Sequence, residues 1–176
     1  MSMKLIGRGA FTKCYLKDCG KRVLLISSDP IKGCMAWGWF PESPLFPEVT
    51  MIEVGTYEMD YMPPTRGLKG HLDQDQWQLY QVLRDCFSRS PAVMNAYHLY
   101  HKWYEIFQTA YDRSETAVVR EGLMDVMLAL DACANYGSDI QFEISPRNVR
   151  AVNGKLVLVD CFYSQSKFNE VRNKRW

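Results

Sequence analysis

The chain has no apolar run approaching the roughly 18 residues that a membrane-spanning helix needs. Its 21 basic and 20 acidic residues leave a formal net charge of only +1. A spanning helix is therefore not expected, and no global field pulls the chain toward nucleic acid or an acidic membrane. The six cysteines (Cys14, Cys19, Cys34, Cys86, Cys133, Cys161) form no C-x-x-C pair. With no secretory leader ahead of the first predicted strand, they are expected to be structural thiols in a reducing cytoplasm. Histidine is scarce: His98 and His101 lie three apart on a predicted helix, but no acidic or cysteine partner stands at a metal-ligand spacing. A Walker A loop, a G-x-S-x-G elbow, internal repeats and low-complexity tracts are all missing.

What is present divides at one point. The chain is 176 residues long and 47% apolar, enough for one domain or two small lobes. Lys4 to Leu16 and Lys21 to Ser28 read as strand-like runs joined by Lys17-Asp18-Cys19-Gly20. Asp29-Pro30 breaks that pattern, and Ile31 to Phe40 suits a short helix. Val49 to Glu53 and Thr56 to Tyr61 form a second predicted hairpin about Val54-Gly55. Met62-Pro63-Pro64-Thr65-Arg66-Gly67 is the clearest linker. The expected organisation is a β-rich lobe over 1–62, a hinge over 63–67 and a helical lobe over 68–176.

Beyond the linker the period changes from two to 3.6. Helices are predicted over Asp73 to Arg89, over Ala92 to Tyr111, and from Ser114 as N-cap to about Asn135. Tyr97, Tyr100, Tyr104, Phe107 and Tyr111 make an aromatic stripe, expected to face the core, and Val119, Leu123, Met127, Leu130 and Cys133 form the buried side of the last helix. Lys155 to Val159 reads as a short strand leading to Asp160. The basic tail residues Lys167, Arg172, Lys174 and Arg175 are expected to be a solvated end. The aromatics of Trp37-Gly38-Trp39-Phe40 are expected to cap the small lobe's core, with a partner-binding patch as the alternative.

Two motifs carry chemistry. Leu5-Ile6-Gly7-Arg8-Gly9-Ala10-Phe11-Thr12-Lys13-Cys14 has the glycine spacing and tip aromatic that let a hairpin backbone approach a triphosphate. Near the other end, Phe142-Glu143-Ile144-Ser145-Pro146-Arg147-Asn148 precedes Leu156-Val157-Leu158-Val159-Asp160. Together these segments resemble the glycine-rich loop, catalytic loop and metal-binding aspartate of the protein kinases, in the reduced style of the minimal kinases encoded by bacteriophages. The resemblance runs over Leu5 to Phe162. It implies an α+β, minimal bilobal kinase-like fold, with a small antiparallel sheet lobe and a helical lobe. It further implies ATP held by Gly7, Gly9, Phe11 and Cys14, with Met59 as gatekeeper and Asp60, Tyr61 and Met62 as the hinge. Asn148 and Asp160 would hold Mg2+, and Glu143 would stand in the base position.

Three departures from that pattern bear on catalysis. In Val23-Leu24-Leu25-Ile26 the strand is present but Ile26 stands where the phosphate-pairing lysine is expected. Strand alternation points Lys13 away from the base because Cys14 faces it, which leaves Lys32 as the possible substitute, delivered by a folded-back loop. Glu143 carries its carboxyl one methylene further out than the usual aspartate, and Gln141 stands where kinases carry histidine. Asp160-Cys161-Phe162 replaces Asp-Phe-Gly, and the 14 residues after Phe162 leave no room for a peptide-binding platform. A kinase is also roughly half as long again. Two functions stay open: a degenerate kinase-like protein acting on a host or viral protein partner in the cytoplasm, or an active minimal Ser/Thr or small-molecule kinase. Neither needs nucleic acid or membrane.

Overall fold

Val23, Leu25 and Ser27 alternate with Leu24 and Ile26, and that alternation decides which face of the first sheet is buried. The computed structural model describes residues 3–91 and 98–174. Five strands, β1 (Lys4–Arg8), β2 (Thr12–Leu16), β3 (Arg22–Ser27), β4 (Val49–Glu53) and β5 (Thr56–Asp60), form one antiparallel sheet in the order β1-β2-β3-β5-β4. The glycine-rich run Lys4 to Leu16 is a hairpin, as expected: it folds back about Gly9 to Phe11 so that Gly7 pairs with Cys14. Helix α1 (Pro30–Ala36) lies between β3 and β4. The Asp29 carboxylate accepts from the Ile31 backbone N–H at 3.0 Å, and Pro30 opens the first turn, where a missing N–H costs nothing. The helix ends at Ala36, shorter than expected, because Gly38 adopts φ 72°.

A small core of Val23, Leu25, Met35, Val49, Tyr57 and Met59 fills the concave side of the sheet. No strand runs through Pro63 and Pro64, and a single 3-10 turn, Leu68–His71, precedes the helical part. There α2 (Gln74–Ser88), α3 (Leu99–Arg113) and α4 (Ala117–Ala134) pack together, followed by β6 (Ile140–Phe142), β7 (Val149–Val152), β8 (Lys155–Leu158), β9 (Phe162–Ser164) and α5 (Gln165–Asn173). β6 pairs with β9 and β7 with β8, both antiparallel. The fold is α+β: a small antiparallel sheet followed by a largely helical part that carries two short hairpin-like strand pairs.

Several local expectations are corrected. Ser114 closes α3 instead of opening α4, whose N-cap is Thr116. In α3 the wholly buried side chains are Leu99, Trp103 and Phe107, while Tyr100, Tyr104 and Tyr111 pack only at the edge of the core. Tyrosine keeps its hydroxyl near solvent, whereas Trp103 buries fully because its indole N–H donates to Gln141 Oε1 at 2.9 Å. The start expected for that helix, Ala92 to Tyr97, lies outside the described residues. Trp37 and Trp39 do not cap the core: they are 52% and 45% exposed and pack on each other. Among the described residues no helix is long and apolar enough to cross a membrane.

Candidate functional site

Helix α1 is short, yet it serves both halves of the molecule. Ile31 joins the large core of the helical part and Met35 the small core of the sheet. Between them Lys32 lines a small cleft bounded by Met35, Phe40 and the run Leu158 to Phe162, and is only 3% exposed. Its ammonium lies 3.0 Å from Asp160 Oδ1 and donates to the Val159 carbonyl at 2.9 Å. Burial by itself lowers the lysine's pKa, but the Asp160 and Asp29 carboxylates outweigh it, so the net shift is upward and Lys32 stays charged. Asp29, 3% exposed, moves the other way: burial raises its carboxyl to about 6, against the pull of Lys32. A buried cation between two carboxylates satisfies the rule that interior charge is paired.

Val159, Asp160 and Cys161 gather the remaining polar groups. Val159 N–H donates to the Asn148 carbonyl at 2.9 Å, and Glu143 N–H donates to the Cys161 carbonyl at 2.8 Å. Glu143, Asn148, Asp160 and Lys32 therefore converge on one stretch of backbone, although they come from three separate parts of the sequence. Asp160 keeps 48% of its side chain exposed, whereas that of Lys32 is 4% exposed. Among the described residues no cluster of three or more His, Cys, Asp or Glu could hold a metal ion alone. Asp160 and Asn148 are hard oxygen donors on neighbouring backbone, and that small set fits magnesium, which takes one or two protein oxygens and completes its shell with water and phosphate.

The register of β3 changes the account of the missing lysine. Ile26 pairs with Lys13 and Thr56, is 46% exposed and stands on the outer face. It does not occupy a cleft-facing position, so it cannot mark the lysine's place. The inward positions are Val23, Leu25 and Ser27, and none carries charge. Lys32 arrives from helix α1 and not from a folded-back loop. Lys13 is exposed, opposite Ile26.

Above the cleft, Gly9 N–H donates to the Thr12 carbonyl at 2.8 Å and Ser28 N–H to the Phe11 carbonyl at 3.1 Å, which ties the hairpin tip to the end of β3. Neither Gly7 nor Gly9 needs a positive φ. Thr12 and Ser27 share a hydroxyl hydrogen bond of 2.6 Å, and Ser27 Oγ accepts from Asp29 N–H at 3.1 Å. The Phe11 ring stands edge-on to Phe168 of α5, 6.2 Å between centroids, and Phe168 in turn packs on Tyr163.

In the small core, Cys14 is half-buried on the inward face of β2 and Met59 is buried. Asp60 is exposed, its carboxylate held by Arg22 at 2.7 Å. Tyr61 N–H donates to the Lys21 carbonyl at 2.8 Å, and the Met62 carbonyl accepts from Arg150 Nε at 2.9 Å. Gln141 is buried and serves the packing of Trp103. His98 and His101 are exposed and remote from these groups in the sequence.

Sequence reasoning missed Asp29, Phe168 and Arg150. Asp29 was legible only as a breaker before Pro30. Phe168 belongs to a stretch read as a basic tail, and its role is fixed by a contact 157 positions away in the sequence. Arg150 offered one signal: a charged residue inside an otherwise apolar strand, two positions after Asn148.

No protein-family model matches the chain, and no curated protein does. Among solved structures, the chain is similar to one titled "Structure of the streptomycin-ATP-APH(2")-IIa ternary complex". The identity is 10% and the TM-score 0.38, with 96% of this chain and 69% of that chain covered.

Proposed function

We propose that this chain is a kinase-like protein that holds a purine nucleoside triphosphate with magnesium in the cleft, and that it turns the nucleotide over poorly. The triphosphate lies between the Gly7–Gly9 hairpin and Asp160, with Lys32 as its cation and Asn148 and Asp160 as the metal's protein ligands. The carrying observation is the buried Lys32 ammonium 3.0 Å from Asp160 Oδ1, at the junction of both lobes. Magnesium, when bound, neutralises phosphate charge; this chain's own part is to hold Lys32 charged and to keep Asp160 open to the cleft.

Poor turnover follows from two features. Glu143 brings its carboxyl from a longer side chain than the usual aspartate, and misplacement of ~1 Å can cost about 100-fold. The Phe11–Phe168 contact fixes the hairpin tip against α5. A protein of this kind acts by presenting a surface to a protein partner, and the exposed Trp37–Trp39 pair supplies aromatic anchors of the type that dominate interfaces.

One observation favours a second reading, an active minimal kinase with Glu143 as base. Lys32 restores the cation whose absence argued most strongly against catalysis. A γ-phosphate-labelled nucleotide assay, for both autophosphorylation and hydrolysis, separates the two. The proposal predicts magnesium-dependent binding with turnover at background. Robust turnover that falls at least tenfold in Lys32→Ala, or ~1.4 kcal/mol in barrier, establishes the second reading instead. Robust turnover that survives Lys32→Ala contradicts both.

A further inference from the structure

Arg150 of β7 is half-buried, and no carboxylate lies within ion-pair distance of it among the described residues. Its guanidinium is held by backbone carbonyls alone: Nε donates to Met62 at 2.9 Å, and Nη1 donates to Arg147 at 2.9 Å and to Val149 at 2.7 Å. These bonds fix its plane at the junction of hinge and helical lobe. The groups that feel its charge are Tyr61 of the hinge and Cys14 of the glycine-rich hairpin. Three residues expected to surround the base, Cys14, Tyr61 and Met62, thus gather around a cation that sequence reading did not place there.

A guanidinium carries donors only, and a planar, weakly hydrated one stacks on and hydrogen-bonds to flat π systems. Buried charge is ordinarily paired, and carbonyl dipoles alone leave Arg150 short of a partner with negative potential. With Nε and Nη1 engaged, Nη2 is left to donate; guanine offers it O6, where adenine places an amino donor instead. The hinge acts in the same direction. The Met62 carbonyl has one of its two lone pairs engaged by Arg150, which makes it a poorer acceptor for an adenine amino group.

Resting on the nucleotide reading above, we infer that Arg150 is a specificity-determining residue and that the cleft takes a guanine nucleotide in preference to an adenine one. The test measures equilibrium binding of GTP, ITP, ATP and tripolyphosphate, each with magnesium, to the full chain and to Arg150→Met. GTP and ITP, which share O6, are expected to bind about tenfold tighter than ATP, about what one hydrogen bond from a charged donor gives. In Arg150→Met the three nucleotides should fall within about twofold of one another. ATP binding as tightly as GTP, or a guanine preference that survives Arg150→Met, overturns the inference while leaving the nucleotide site standing. Should Arg150→Met fail to fold, ITP decides on the wild-type chain: ITP grouping with ATP overturns the inference, and ITP grouping with GTP supports it. Binding of tripolyphosphate without any base preference also overturns it. No binding by any of the four overturns the nucleotide reading, and this inference with it.

Discussion

Asp29 combines two roles at one carboxylate: it caps helix α1 and, only 3% exposed, it adds negative charge beside Lys32. Its pKa is raised by burial from 3.8 to about 6. The sign follows from proton counting. Between those values the folded state binds the proton more tightly than the unfolded chain, so this group's contribution falls as pH rises and levels off above about 6. Glu58, Asp139 and Glu170 are shifted downward, so their stabilising contributions are complete above about pH 4.5 and leave the higher range to Asp29. Denaturant titrations from pH 4.5 to 8 should show wild type losing on the order of 2 kcal/mol relative to Asp29→Asn. Asparagine keeps the cap, so the variant should fold and its profile should be flatter. Parallel profiles for the two proteins would show that Asp29 titrates normally.

At the scale of elements, the close approach of α2 and α4 depends on Gly122. A Cβ there would stand 2.5 Å from Leu79 Cδ2, and Leu79 is itself 2% exposed. Gly122→Ala raises helix propensity yet overpacks a filled core, so thermal unfolding should show a net loss of about 1–3 kcal/mol. A stabilised variant would mean that Leu79 has another rotamer to use. The strands and helices themselves were largely legible, because alternation and 3.6-residue periodicity respond to local burial: the β4–β5 hairpin about Gly55 and the buried face of α4 at Val119, Leu123, Met127, Leu130 and Cys133 are where the pattern puts them. Illegible were features set by partners distant in sequence. The outward placement of Ile26 is set by pairing with β2 and β5, and the full burial of Trp103 by its bond to Gln141.

For the whole molecule, the two cores meet at α1, and the cleft residues are assembled by that junction. Glycine-rich hairpin, Asn148 and Asp160 could be named from local motifs. The delivery of Lys32 from a helix could not, because its meaning depends on a 128-residue separation closing to one ion pair. The claim that this ion pair marks a magnesium-nucleotide site is tested most directly by a thermal-shift titration with purine nucleoside triphosphates, with and without magnesium, on wild type and Asp160→Asn. Asparagine keeps an oxygen for Lys32 but removes the charge that the metal requires. The account predicts stabilisation of wild type that depends on magnesium, about 2.7 kcal/mol at a hundredfold excess over Kd, and its loss in Asp160→Asn. A magnesium-dependent shift of unchanged size in Asp160→Asn would contradict it.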